Sequence, residues 1–227
     1  MPEIKQEKRM NWGAIFDWDG VIIDSSAQHR ESWIRMAKAD GLTLPDGYFE
    51  QAFGMKNEVI IPEILGWADE PAAVQRMAKR KEALYRDIVR EDGIEPLPGA
   101  RAWLDALRNA GVPCVIGSST CRANIDCIID DIGLRAYFSD IVSGDDVEHG
   151  KPHPEIFLKA AGRIGFEPDR TVVFEDAFVG IEAARRGGMK VVAVASTHPA
   201  EDLLNADKVV DRLDELRVEE LASWFRA

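Results

Sequence analysis

The chain has 227 residues, of which 46% are hydrophobic and 30% are charged, and its formal net charge is −12 at pH 7. This length exceeds one average domain but is short for two, so we expect one domain that carries a sizeable insertion. The acidic charge argues against a nucleic-acid partner, and the apolar runs are shorter than the roughly 20 residues that a membrane helix needs.

The three cysteines, Cys114, Cys121 and Cys127, have no CxxC spacing and no pair of histidines near them. An odd number of cysteines disfavours a disulfide framework, and the missing spacing disfavours a zinc site. No apolar stretch of the kind found in secretory signals follows residues 1–12. We therefore expect a cytoplasmic protein, monomeric or alternatively dimeric, that binds neither nucleic acid nor membranes.

The first predicted element is a short buried strand over residues 13–18. About 70 residues follow in which apolar positions recur at helical spacing without a strand pattern. Residues 92–99 then supply the glycines and prolines of a linker. We therefore predict a helical cap domain at residues 25–95, inserted after the first strand.

From Pro96 onward, predicted helices and strands alternate. The predicted helices cover residues 100–110, 122–132, 154–165 and 178–187, and the predicted strands cover 112–117, 140–143, 171–174 and 190–195. These strands are continuous apolar runs, as is typical of a sheet that helices cover on both faces. The alternation predicts an α/β protein with a Rossmann-like, doubly wound parallel sheet, built from residues 1–24 and 96–227.

Two pairs of acids follow predicted strands of this sheet. Asp17 and Asp19 come after the first strand, and Glu175 and Asp176 come after strand 171–174. Capping explains a single acid at such a position, but acids brought together repel unless a cation or protons intervene. Because the carboxyl ends of parallel strands share one edge and oxygen ligands suit Mg²⁺, the pairs predict a magnesium site.

Two further motifs lie at the same predicted edge. Ser118, Ser119 and Thr120 follow strand 112–117, where they could cap the next helix or offer hydroxyl and N–H groups to a phosphate. Lys151 stands between a glycine and a proline. It could be a solvated surface lysine or a fixed charge that balances phosphate and carboxylates. The residue types alone leave both alternatives open for each motif.

Four motifs occur in the order FDWDGVIIDS, GSST, GKPHPEIF and VVFEDAFVGIEAA. Together they resemble the haloacid dehalogenase superfamily over essentially the whole chain. The helical insert after the first strand is similar to that of the phosphatase-like branch, which includes β-phosphoglucomutase and small sugar-phosphate phosphatases. The resemblance implies an enzyme that acts on a small phosphorylated metabolite.

The resemblance also implies how the acids act. Asp17 would be the nucleophile and form an aspartyl phosphate, and Asp19 would be the general acid and base. Mg²⁺ would be bound by Asp17, Asp176 and the backbone carbonyl of Asp19, with Glu175 in or beside the coordination shell. Carbon–halogen hydrolases of the superfamily typically lack an acid two residues after the nucleophile, so Asp19 disfavours dehalogenation.

The remaining site residues are also implied by the resemblance. Ser118 and Lys151 would act in catalysis on the phosphoryl oxygens, and substrate contacts would come from His29, Lys56, Asn57, Lys81, Ser119 and Thr120. His29 and Lys81 match cap positions of β-phosphoglucomutase.

Two departures bear on the choice between phosphatase and mutase. The turn at residues 53–57 lacks the lysine and arginine that the resemblance to the mutase would align there for a second phosphate, a loss that Lys56 offsets in part. Cys121 stands where the mutase pattern has a lysine. We therefore expect hydrolysis of a sugar phosphate. A β-phosphoglucomutase-like mutase is the alternative, and a pyrophosphate or phosphonate hydrolase is a lesser one.

Overall fold

The computed structural model describes residues 10–52 and 55–226. The strands in this part of the chain are β1 (Gly13–Phe16), β2 (Cys114–Gly117), β3 (Phe138–Val142), β4 (Thr171–Glu175), β5 (Lys190–Val194) and β6 (Lys208–Val210). Among the described residues they form one parallel sheet in the order β3-β2-β1-β4-β5-β6. The order of strands reverses at β1, so the crevice for a ligand is expected beyond the carboxyl end of β1.

Helices surround this sheet and fill the segment after β1. They are α1 (Ser26–Asp40), α2 (Tyr48–Ala52), α3 (Asn57–Val59), a π-helical segment (Ile60–Leu65), α4 (Pro71–Asp92), α5 (Ala100–Ala110), α6 (Arg122–Ile129), α7 (Glu155–Ile164), α8 (Phe178–Arg186) and α9 (Val218–Ser223). No helix in the described ranges has both the length and the apolar character needed to span a bilayer.

Side chains of β1 alternate between the two faces of the sheet, as they must in a strand. Ala14 and Phe16 pack in the cluster that contains the buried residues of α5, α6 and α9. Ile15 packs in the cluster that contains those of α7 and α8. Both faces are therefore covered, and the predicted doubly wound α/β sheet is confirmed.

The helices between β1 and α5 have a hydrophobic cluster of their own. It includes Trp33 and Met36 of α1, Phe49 of α2 and Ile61 of the π-helical segment. This separate core accounts for the helical periodicity of the segment, because each helix buries one face against the others. The inserted helical cap is confirmed as part of the fold.

Helix α4 joins the cap to the sheet. The Glu70 carboxylate accepts hydrogen bonds from the N–H groups of Ala72 and Ala73 at 3.1 and 2.7 Å, and so caps the helix start. Val74 packs in the cap cluster, whereas Tyr85 packs against the sheet. One face of this helix therefore reaches from the cap interior to the edge of the sheet that carries the acids.

Several predicted boundaries differ from the structure. The first strand ends at Phe16 rather than at residue 18, and the residues after it turn, with the N–H of Gly20 donating to the carbonyl of Ile23 at 2.7 Å. Helix α6 ends at Ile129 rather than at residue 132. Strand β6 and helix α9 were not predicted, because elements of three and six residues carry too little periodicity to recognise.

Candidate active site

The turn after β1 brings two acids together. The N–H of Asp17 donates to the carbonyl of Phe174 at 3.0 Å, which ties the end of β1 to β4. Gly20 has a φ of +78°, and a Cβ at this position would collide with the carboxylate of Asp176. Glycine is therefore required at this position for two reasons: the backbone is left-handed, and Asp176 approaches too closely for a side chain.

Three buried carboxylates meet beyond β1 and β4. One oxygen from each of Asp17, Glu175 and Asp176 lies within 4.8 Å of the others. Burial raises the pKa of Asp17 to about 7, an effect that Lys151 opposes and Glu175 reinforces. Burial, followed by the charges of Glu175 and Asp17, raises the pKa of Asp176 well above its usual range.

These carboxylates fit a divalent cation. Oδ1 of Asp17 is buried and has no hydrogen-bond partner among the described residues, which is costly for an ionised oxygen. The carboxylate of Asp176, by contrast, accepts a hydrogen bond from the hydroxyl of Thr197. A cation would pair the orphaned oxygen and relieve the repulsion that raises both pKa values, and a set of oxygen donors suits Mg²⁺.

Lys151 lies buried between two of the acids. Its Nζ is 3.0 Å from Oδ2 of Asp17 and 2.5 Å from Oε1 of Glu175. Burial lowers the pKa of Lys151, but Asp17 and Glu175 outweigh burial and raise it above its usual value. Oε2 of Glu175 accepts the N–H groups of Asp176 and Ala177 at 2.8 and 2.7 Å, at the start of α8. Lys151 is therefore a fixed positive charge rather than a solvated one.

Asp19 has surroundings that favour its ionised form. Its carboxylate accepts hydrogen bonds from the hydroxyls of Ser25 and Thr120. Nε2 of His29 lies 3.6 Å from its Oδ1. Burial alone would raise the pKa of Asp19, but His29 and these two donors outweigh it, so the pKa is lowered. Asp19 thus differs from Asp17, whose pKa is raised.

The hydroxyl residues after β2 border the same site. The N–H of Ser118 donates to the carbonyl of Val142 at 3.0 Å, and its Oγ accepts from the N–H of Thr120 at 3.3 Å. Helix α6 receives its cap elsewhere, because Asp145 accepts from the N–H of Arg122 at 2.8 Å. The hydroxyls therefore do not cap α6 and remain beside the acids.

The predicted cap residues His29 and Lys81 lie next to each other. Nζ of Lys81 is 2.6 Å from Nδ1 of His29, whose ring stacks on Tyr85 with a centroid separation of 4.0 Å. The same Nζ donates to Oε1 of Glu82 at 2.9 Å. A row of polar side chains therefore runs from Asp19 through His29 and Lys81 to Glu82.

Lys56 and Asn57 contact other parts of the site. Nζ of Lys56 donates to the carbonyls of Gly144 and Val147, both at 3.1 Å. Nδ2 of Asn57 donates to Oε1 of Glu82 at 2.6 Å. The turn predicted to lack a second phosphate site begins at Phe53, which lies outside the described residues. Lys56 therefore ties the cap to the loops after β3.

Sequence reasoning missed the contacts around Glu82. Its Oε2 accepts from Nδ2 of Asn124 on α6, and Arg86 donates to Oδ1 of the same amide at 2.8 Å. Burial would raise the pKa of Glu82, but Lys81 and other neighbours lower it to about 2. The available signal was Lys81 itself, which continues the helical spacing of Val74 and requires a charged partner when buried.

A cavity of about 570 Å³ lies between cap and sheet. Its walls carry every site residue predicted from the sequence except Lys151 and Glu175, which lie behind Asp17. The volume is in the range of sites for small molecules. The structure thus brings the residues predicted to act as nucleophile, acid, cation ligands and phosphate donors to one cavity and its immediate border.

Comparisons with known proteins agree with this geometry. The family model of haloacid dehalogenase-like hydrolases matches residues 13–188. The chain is 40% identical over 225 residues to the chloroplastic 5-amino-6-(5-phospho-D-ribitylamino)uracil phosphatase of Arabidopsis thaliana, covering 97% of this chain but only 60% of that protein. It is 33% identical over 185 residues to a fructose-1-phosphate phosphatase of Escherichia coli, covering 80% and 95% of the two chains.

Solved structures show the same likeness. A β-phosphoglucomutase from Clostridium difficile superposes with a TM-score of 0.83 at 27% identity, over 95% of this chain and 97% of that one. The match therefore includes the cap as well as the sheet. This chain belongs to the haloacid dehalogenase-like hydrolase family.

Proposed function

We propose that this chain is a Mg²⁺-dependent phosphatase that hydrolyses a small phosphorylated metabolite through an aspartyl phosphate on Asp17. The observation that carries the proposal is the pairing of Asp17 and Asp19 in the wall of the cavity between cap and sheet. Asp17 has one oxygen near Lys151 and one buried oxygen without a partner among the described residues, whereas Asp19 is held by hydroxyl donors. Two acids in such different surroundings suit a nucleophile and a proton carrier.

Asp17 and Asp176 would hold Mg²⁺, with Glu175 beside them. When bound, the ion would neutralise the charge of phosphate and carboxylates and thereby lower the barrier to their approach. The chain itself keeps the donors in place, since Lys151 spans Asp17 and Glu175 and Thr197 fixes Asp176.

In the first half-reaction an oxygen of Asp17 attacks phosphorus, and the bond from phosphorus to the leaving oxygen breaks. The leaving oxygen takes a proton from Asp19. In the second half-reaction Asp19 takes a proton from water, which attacks the same phosphorus and frees Asp17. Ser118, Ser119 and Lys151 would donate to phosphoryl oxygens, because positioned donors dominate phosphoryl transfer.

Asp19 must carry a proton before it can act as an acid. Its lowered pKa means that it is ionised in the empty site. The negative charge of a bound phosphate disfavours a second negative charge nearby and so raises the pKa of Asp19. Substrate binding would therefore load Asp19 with the proton that the leaving group needs.

The substrate is proposed to be a phosphate ester of a sugar or polyol. Both phosphatase relatives carry names of such esters, a phosphoribitylamino compound and fructose 1-phosphate. His29, Lys81 and Glu82 offer hydrogen-bonding groups at the cap side of the cavity, which suits a hydroxyl-rich body. We assign residues 25–95 to the cap and residues 1–24 and 96–227 to the catalytic domain, with the cap closing over the substrate.

A mutase is the second candidate, favoured by the structural likeness to β-phosphoglucomutase and by the His29 and Lys81 pair. It would need to hold a bisphosphate for a second transfer. Cys121 lines the cavity where that resemblance calls for a lysine. Hydrolysis therefore ranks first.

The test is phosphate release with Mg²⁺ from a panel of 5-amino-6-(5-phospho-D-ribitylamino)uracil, fructose 1-phosphate, and β-glucose 1-phosphate with a trace of glucose 1,6-bisphosphate. Glucose 6-phosphate is followed separately. Phosphate release that requires Mg²⁺ and is abolished by Asp17→Asn supports the phosphatase. Formation of glucose 6-phosphate without phosphate release would instead establish the mutase.

A further inference from the structure

A second group of metal-ligating side chains lies outside the acidic cluster. His149, His153 and Glu155 each offer one ligand atom, and these atoms lie within 4.8 Å of one another. The two imidazole rings are 4.6 Å apart between centroids. Both histidines are exposed, so a cation can reach them from solvent. The proposed phosphatase reaction uses none of the three.

Glu155 is held in place as a ligand would be. Its Oε1 accepts from Nζ of Lys159 at 2.7 Å and from the N–H of Glu148 at 3.2 Å. Its Oε2 accepts from the N–H of His149 at 3.0 Å. Such contacts orient a carboxylate before the ion arrives. The carboxylate therefore needs little rearrangement to bind a cation.

The spacing of the ligand atoms fits a small ion. Nδ1 of His149 and Oε2 of Glu155 are 3.1 Å apart. Two ligands of a tetrahedral zinc ion, each about 2.0–2.1 Å from the metal, stand about 3.3 Å from each other. Nδ1 of His153 accepts the N–H of Glu155 at 3.3 Å, a long contact that a rotation of the exposed ring would give up as His153 completes the set, and water can take the fourth position.

We propose that His149, His153 and Glu155 bind a divalent transition-metal ion of the Zn²⁺ class, separately from the magnesium site. Imidazole ligands favour Zn²⁺, Ni²⁺ or Cu²⁺, whereas the cluster of carboxylates favours Mg²⁺, so the two sites differ in chemistry. The ion bridges the two ends of the segment that carries Lys151. The same segment supports the cap, because the Lys56 side chain packs against Gly150. A Cβ added to this glycine would stand 3.5 Å from that side chain. Binding therefore stiffens the Lys151 segment.

Equilibrium dialysis of the full chain against Zn²⁺, with reductant and excess Mg²⁺, tests the site. We expect one Zn²⁺ per chain, and the double variant His149→Ala/His153→Ala to bind at least about tenfold more weakly. His198→Ala is the matched control and keeps binding. Both altered side chains are exposed, so the double variant keeps the fold, and Glu155→Gln provides a second variant with the same expected loss.

Asp176→Asn distinguishes the two cation sites, because it alters the acidic cluster only and leaves Zn²⁺ binding unchanged. Undiminished binding in the double variant would overturn the proposal. Loss of binding in Asp176→Asn, or after the cysteines are blocked, would also overturn it, since the ion would then lie elsewhere. Amide hydrogen exchange at residues 148–153 should slow with Zn²⁺ in the parent and not in the double variant; no slowing would contradict the stiffening.

Discussion

Asp17 and Asp19 are two residues apart, yet the fold shifts their pKa values in opposite directions. Burial raises the pKa of Asp17 to about 7. Asp19 is equally enclosed, but His29, Ser25 and Thr120 reverse the effect of burial and lower its pKa. Environments that push two acids apart are how proteins assign different roles to the same residue type.

The variant Asp19→Asn tests the role of the proton carrier. We expect the rate to fall by about 10²–10⁴ with an alkyl phosphate, since a positioned general acid contributes that much. The loss should be smaller with p-nitrophenyl phosphate, whose leaving group needs no proton. Steady-state kinetics with both substrates measure the difference.

The control for this variant is Asp24→Asn, which changes an exposed acid of the same loop. It should leave both rates close to those of the parent. An equal loss of kcat/KM with the two substrates in Asp19→Asn would argue against Asp19 as the acid for the leaving group, because kcat/KM reports formation of the aspartyl phosphate and not its hydrolysis.

At the scale of elements, α4 and α6 meet through Asn124 of α6, whose amide contacts both Glu82 and Arg86 of α4. Glu82 on α4 accepts from Asn124 on α6 and from Asn57 and Lys81 on the cap. These contacts between cap and sheet require an ionised Glu82, because its carboxylate accepts from every one of these donors.

The variant Glu82→Gln is expected to unfold more easily than the parent at pH 6, by roughly 2 kcal/mol in the free energy of unfolding. The folded-state pKa of Glu82 is about 2, against 4.5 for an unperturbed glutamate. A glutamate whose pKa is lowered by folding stabilises the fold at pH values above its unfolded-state pKa. This stabilisation is lost as pH falls towards the folded-state pKa. The difference between parent and variant should therefore shrink between pH 4.5 and 2.

Urea unfolding at several pH values measures this difference. Glu58→Gln, at an exposed position on the neighbouring α3, is the control and should show no such trend. A difference that stays constant as pH falls would show that the stabilisation does not come from the charge of Glu82.

The elements that could be predicted best have strong local signals. Helix α5 covers the predicted residues because Gly99 and Gly111, both with positive φ, bracket an amphipathic run. The acids at the ends of β1 and β4 could also be predicted, since parallel strands bring their carboxyl ends to one edge.

What could not be predicted depends on contacts between distant segments. Thr197 donates to Asp176 from a loop after β5, and Asn124 meets Glu82 across the boundary of cap and sheet. Neither residue stands in a local pattern that marks it. The length of α6 was overestimated for a related reason, because its apolar spacing continues past Ile129 into a turn.

At the scale of the whole molecule, the proposed cation site leads us to expect that stability depends on Mg²⁺ and pH together. Without a cation, burial and mutual repulsion raise the pKa values of Asp17 and Asp176. A raised carboxyl pKa means that ionisation destabilises the fold; for Asp17 this cost grows as pH rises towards 7 and levels off above it. A bound Mg²⁺ would remove this cost by neutralising the carboxylates, and protons would compete with it below pH 7.

Removal of Mg²⁺ by a chelator should therefore lower the midpoint of thermal unfolding more at pH 8 than at pH 6. Differential scanning calorimetry with and without Mg²⁺ at both values measures the effect. The matched control is Asp176→Asn, in which the dependence on Mg²⁺ should be much reduced. A larger effect of Mg²⁺ at pH 6 would contradict the assignment of the cation to these acids.

The most direct test of the account is to trap the covalent intermediate. The protein is mixed with Mg²⁺ and the ³²P-labelled form of its best substrate, quenched in acid within one turnover, and digested for peptide mapping. We predict label on the peptide that contains Asp17 and none in Asp17→Asn. With ³²P-labelled p-nitrophenyl phosphate, whose leaving group needs no proton, Asp19→Asn should give more label because it mainly slows hydrolysis of the intermediate. Turnover without label on that peptide, or label at another residue, would contradict Asp17 as the nucleophile.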